Sequence, residues 1–229
     1  MRLRCSTVLL AAALLLAGCG SSAPKDNGVA AKTADQILAA AQAAAAAATS
    51  VHVAGSGSQG GTSLALNLSI VAGKGGKGHL NVNGLSFDII RVGPTAYFKG
   101  DSRFWANFGG GVVGDLLKGR WLSEPSGTGD LASFSSLTDV TKLVNAILGS
   151  HGTLSKGAQT TVNGKPVIAL LDSSRKGILY VSTTGQPYPV KLVGTGGKGT
   201  ITFDEWNESF AIAAPANSID IDKLKAAGG

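Results

Sequence analysis

No cysteine follows position 19 in this 229-residue chain. Nothing beyond that point can therefore be stapled by a disulfide, and no thiolate metal site can form there. Stability must come from buried apolar surface. Charge is also scarce, at 15% of residues, and aromatic residues make up only 6%. With no dense Lys/Arg run and no stripe of alternating basic and aromatic residues, nucleic acid is excluded as an expected partner. His52, His79 and His151 are scattered and form no metal-binding spacing. There is no GxSxG elbow and no Walker loop, so neither a catalytic constellation nor a cofactor is expected, and the chain does not read as an enzyme.

Three motifs look chemical and fail on context. Residues 55–60 (GSGSQG) match GxGxxG, but a period-two apolar pattern follows instead of the helix a dinucleotide needs. Residues 173–176 (SSRK) match SxxK, yet a strand-like ILYV follows and no SDN or KTG partner exists. Asp204, Glu205 and Glu208 form the densest acidic cluster, for which solvation is a simpler account than calcium.

What the chain does have begins at its start. Arg2 and Arg4 precede an unbroken apolar run over residues 8–16, too short to span a bilayer, which needs roughly 20 apolar residues. Leu16-Ala17-Gly18-Cys19 closes it. Basic start, short apolar core and small residues before a cut are the layout of an export signal. The ending resembles the lipobox of bacterial lipoproteins, in which the cysteine is acylated and becomes the new N-terminus. The expected organisation is a signal peptide over 1–18, lipidated Cys19 with a flexible tether over 19–32, and a single domain over 33–229. The mature chain then holds 18 basic and 14 acidic residues, a net +4.

Thr33 or Asp35 caps an expected Ala-rich helix running to about Thr49. Residues 63–72 (SLALNLSIVA) then place Leu64, Leu66, Leu68 and Ile70 on one face, the clearest strand in the chain. A Gly-Lys loop over 73–78, an Asn83-Gly84 hairpin turn and Gly93-Pro94 continue an antiparallel meander, with Phe87 and Ile89 on one face of residues 85–92. Residues 101–134 read as irregular, apart from a short helix at 112–117, and hold Phe104, Trp105, Phe108, Trp121 and Phe134. Ser136 and Asp139 suggest a capping box for a helix to Leu148, with Gly149 as C-cap. Its wide stripe includes Val140, Leu143, Val144 and Ile147. A second meander, turning at Asn163-Gly164, runs to Trp206, and the tail carries a short amphipathic turn near Leu224.

This order predicts an α+β fold, with an antiparallel sheet of roughly eight or more strands that curls. The helical stripe has two readings, ordinary core packing or the wall of an apolar cavity under the curled sheet. On the second reading the cavity candidates are Leu64, Leu66, Leu68, Ile70, Phe87, Ile89, Val140, Leu143, Val144 and Ile147.

The lipobox, the Ala-rich helix leading into Val51-His52-Val53, residues 89–100 (IIRVGPTAYFKG), the Phe104-Trp105 and Arg120-Trp121 pairs, the central helix and the closing ITFDEW resemble one family. It is the LppX/LprA-LprF-LprG group of actinobacterial lipoproteins, related in fold to the LolA and LolB carriers. The family's Asp-Pro before the central helix is absent; residues 131–135 (LASFS) stand there. The resemblance implies a half-barrel with helices covering its concave face and a cavity for the acyl chains of lipids or glycolipids. It also implies a monomer held at the extracytoplasmic face of the cell membrane through Cys19. The alternative is a structural or sensory module that binds an envelope protein through aromatics between Phe104 and Trp121.

Overall fold

The structure is a computed structural model that describes residues 25–221, except 60, 129–131, 175–176 and 195–197, together with residue 223. The chain opens with a 3₁₀ turn at Val29–Ala31 and helix α1 (Ala34–Ala47), then five strands: β1 (Ser50–Gln59), β2 (Thr62–Val71), β3 (Gly75–Val82), β4 (Leu85–Val92) and β5 (Thr95–Gly100). Helix α2 (Ser102–Leu117), strand β6 (Leu122–Pro125), helix α3 (Ala132–Ser135), a 3₁₀ turn at Ser136–Thr138 and helix α4 (Val140–Leu148) form the middle. Strands β7 (Leu154–Val162), β8 (Lys165–Asp172), β9 (Ile178–Ser182), β10 (Pro189–Val193), β11 (Gly199–Asp204) and β12 (Ile219–Asp220) complete it.

These strands form one 12-stranded sheet, in the order β12-β6-β5-β4-β3-β2-β1-β11-β10-β9-β8-β7. Two meanders are thus joined where β1 pairs with β11, and the last strand, β12, lies at the outer edge beside β6. Every pairing is antiparallel except β12 with β6. The sheet curls without closing into a barrel, and α1 and α4 lie over its concave face. The fold is α+β.

Local sequence explains the elements. Thr33 and Gln36 form a capping box for α1, whose alanines let the backbone approach the sheet and bury Ile37, Leu38, Ala41 and Ala45. Asn83-Gly84 and Asn163-Gly164 both sit at positive φ, as a two-residue hairpin turn of this type requires.

Several expectations need correction. Residues 75–78 belong to β3 and not to a loop: a Cβ on Gly78 would meet the Asn67 carbonyl oxygen, so a glycine strand lets β2 approach closely. Within the stretch expected as a tether, residues 26–29 make contacts with the domain. Asp26 bridges to Thr184, Asn27 Nδ2 donates to the Ser182 and Gly185 carbonyls, and Val29 is buried. Ser136 caps nothing in α4. Its hydroxyl donates to Ser133, while Asp139 accepts from the Lys142 amide and starts the helix at Val140. The delay has a cause: Arg91 grips the preceding turn, with Nε donating to the Thr138 hydroxyl at 2.7 Å and a terminal nitrogen to its carbonyl at 2.8 Å. Strands β6 and β12 were not anticipated, and the turn expected near Leu224 lies outside the described residues.

The stretch read as irregular contains α2, capped by Asp101, which accepts from the Phe104 amide. This helix folds back on itself. A Cβ on Gly114 would meet Ser102 O, although residues twelve apart in a straight helix are about 18 Å apart. Phe104 and Trp105 are almost wholly buried, and Phe104 stacks on Phe87 at 4.6 Å. The aromatic surface invoked for a protein partner is therefore largely core.

Candidate functional site

Between α1, α4 and the sheet lies a half-open cavity of about 610 Å³. Its floor is a single row of residues held in cross-strand register. Leu170 pairs with Leu179, Leu179 with Leu192, Leu192 with Ile201, Ile201 with Gly55 and Gly55 with Leu66. Directly opposed residues of an antiparallel pair project from the same face. All six line the cavity. Six adjacent strands at about 4.8 Å spacing make a floor about 24 Å across.

The roof is equally apolar: Leu38 from α1, Leu137 from the 3₁₀ turn, and Leu143, Ala146, Ile147 and Leu148 from α4. Polar groups gather at one end. Ser56, Ser58, Thr62, Ser150, His151 and Lys198 line the cavity and are exposed. They mark its mouth. Gly55 has φ +154, and a Cβ there would meet the Thr200 carbonyl oxygen, so this floor position is bare by backbone necessity.

The ten expected cavity residues divide. Leu64, Leu66, Leu143 and Ile147 line the cavity. Leu68, Ile70, Phe87, Ile89, Val140 and Val144 do not; each is at most 3% exposed and packed into the core. The division follows depth along the strands. Val53, Leu68, Gly78, Ile89 and Phe98 form the next row from the mouth, and the core cluster that contains them also contains Ile37, Ala41 and Ala45 of α1. On α4, Leu143 and Ile147 line the cavity, while Val140 and Val144, each three residues earlier, do not and are buried in the core. Sequence reasoning missed the β8–β11 floor, Gly55 and the roof residues Leu38 and Ala146. Only the second meander's apolar runs hinted at them.

The rejected motifs fall where their context indicated. Residues 55–59 belong to β1, and Ser173 and Ser174 form a turn after β8. Among the described residues, no group of three His, Cys, Asp or Glu side chains is placed to hold a metal ion. His79 Nδ1 lies 2.9 Å from Asp88 Oδ1, and His151 Nδ1 lies 2.9 Å from the Gly152 carbonyl.

His52 ties three strands together. Its Nδ1 lies 2.6 Å from Asp204 Oδ1 and its Nε2 lies 3.1 Å from Asn67 Oδ1. Burial alone would lower its pKa, but hydrogen bonds to Asp204 and Asn67 and the charges of Asp204 and Glu205 outweigh that and raise it above 6.5. A raised folded value favours the folded state in acid. The contribution is complete below pH 6.5, the ordinary value, and is lost as pH climbs through the raised one. Urea unfolding across that range should therefore show wild type losing stability relative to His52→Gln. Parallel curves for the two proteins would contradict this linkage.

No protein-family model matches the sequence, and no curated protein matches it. Solved structures do. LprF from Mycobacterium bovis superposes with a TM-score of 0.56 at 14% identity, over 80% of this chain and 97% of LprF. The lipoprotein LppX from Mycobacterium tuberculosis gives 0.49 at 18% identity, over 82% of this chain and all of LppX. At such identities the likeness is one of architecture, and the chain is built on the LprF fold.

Proposed function

We propose that this chain is a membrane-anchored envelope lipoprotein that binds lipids or glycolipids by their acyl chains and carries them between membrane and acceptor. The observation that carries the reading is the segregation within the cavity: an aliphatic floor and roof, with hydroxyls, His151, Lys198 and the carboxylate of Asp172, which accepts from the Gly152 amide, forming its polar part. That arrangement suits an amphiphile, tail inward and headgroup outward. Its volume falls within the roughly 300–1,000 Å³ typical of small-molecule sites. Each methylene taken from water contributes about 0.8 kcal/mol.

The anchor supports the same reading. Cys19 stands six residues before Lys25, where the described chain begins, a reach of at most about 20 Å. The reading is non-enzymatic. Two experiments test it. In a native-like host, metabolic labelling with an alkyne-tagged palmitate should mark wild type and not Cys19→Ser; equal labelling would remove the anchor. A fluorescent fatty acid should bind the domain saturably and be displaced by unlabelled lipid. No saturable binding would sink the lipid reading.

A further inference from the structure

The row that floors the cavity does not stop where the cavity stops. Beyond Leu66 it continues in register to Leu80, then Phe87, then Gly100. Leu80 and Phe87 are fully buried and do not line the cavity. Gly100 has no side chain, and the ring of Phe104 occupies its place: a Cβ there would meet Phe104 Cδ1. Phe87 stacks on Phe104 at 4.6 Å and leans on Phe134 at 4.8 Å, while Trp105 meets Phe104 edge-on at 4.8 Å. Along one continuous face the sheet therefore passes from aliphatic residues under open volume to interlocked rings with none.

From this we infer that the aromatic cluster of Phe87, Phe104 and Phe134 is the end wall of the cavity and sets the length of acyl chain it accepts. The inference rests on the lipid reading and adds its specificity determinant. A chain entering at the mouth and lying along the floor row meets the buried Leu80 one strand past Leu66, backed one strand further on by Phe87 and the rings that hold it. Rings with few rotatable bonds, each held by its neighbours, cannot fold aside as a Leu or Met would. Phe134 is the adjustable stone in this wall. It is half-buried at the edge of the core, so its truncation costs less than that of Phe87 or Phe104, and it precedes the cavity residue Leu137 by one turn. In the other direction, Leu66→Phe would bring the wall one strand pair nearer the mouth.

The test titrates a homologous series of saturated fatty acids against the bound fluorescent fatty acid, using wild type, Phe134→Ala and Leu66→Phe. Each extra buried methylene corresponds to about a fourfold gain in affinity. Wild-type affinity should rise with chain length and then level off. Phe134→Ala should level off at longer acids, binding the longest member at least about tenfold more tightly than wild type does, and Leu66→Phe should level off at shorter ones. Identical chain-length profiles in the three proteins overturn the wall and leave the lipid reading standing. Failure of wild type to bind any member overturns the lipid reading, and the wall with it.

Discussion

Ala146→Trp should abolish most apolar-ligand uptake while leaving the domain folded. Ala146 lines the cavity yet is exposed on α4, between Leu143 and Ile147. An indole there has free space to enter and displaces no core side chain. The helix cost is below about 0.7 kcal/mol. Forcing a ligand past it costs about 1–3 kcal/mol by the usual penalty for overfilling, which is roughly 5- to 150-fold in affinity. Binding of the fluorescent fatty acid and urea unfolding, measured on the same preparation, check both halves. Unchanged binding in a folded variant would mean that ligand does not use this cavity. Val144→Trp is the instructive contrast: Val144 is 1% exposed and away from the cavity, so it should lose stability first.

Phe104→Ala should lower the unfolding free energy by about 3–5 kcal/mol, the usual cost of emptying a buried phenylalanine site. Phe104 is 1% exposed, stacks on Phe87, meets Trp105 edge-on and fills the space over Gly100. Its loss removes a ring contact from Phe87 and another from Trp105. The urea midpoint should fall with the slope unchanged, because the folded surface hardly alters. A loss below about 1 kcal/mol would show that the cluster is not tightly packed and would weaken its assignment as a wall. No cysteine follows position 19, so no disulfide in the described domain can mask the loss.

Much of the scaffold was legible in the residues. The alternation of Leu64, Leu66, Leu68 and Ile70 gave the strand and its buried face; the two Asn-Gly pairs gave the turns; alanine content gave α1. These signals are local. What escaped was non-local. Alternation tells which face a side chain occupies and says nothing of how far along the strand the covering helices reach. Leu66 and Leu68 are therefore indistinguishable in sequence, though one lines the cavity and the other is core. The floor row depends on β1 pairing with β11, a contact between residues about 150 positions apart. Helix α2 was hidden by a run of three glycines over 109–111, because glycine is a poor helix former. Glycines 75, 76 and 78 read as a loop because glycine weakens strand propensity, yet close packing against Asn67, Thr138 and Arg91 requires them.

The central claim is that the cavity holds acyl chains. The most direct measurement is mass spectrometry of an organic extract of the domain, produced without residues 1–19 in a native-like host and purified without detergent. The account predicts about one acylated amphiphile per protein, lost from Ala146→Trp. An extract with no stoichiometric lipid, from folded protein that also fails to bind the fluorescent fatty acid, would contradict it.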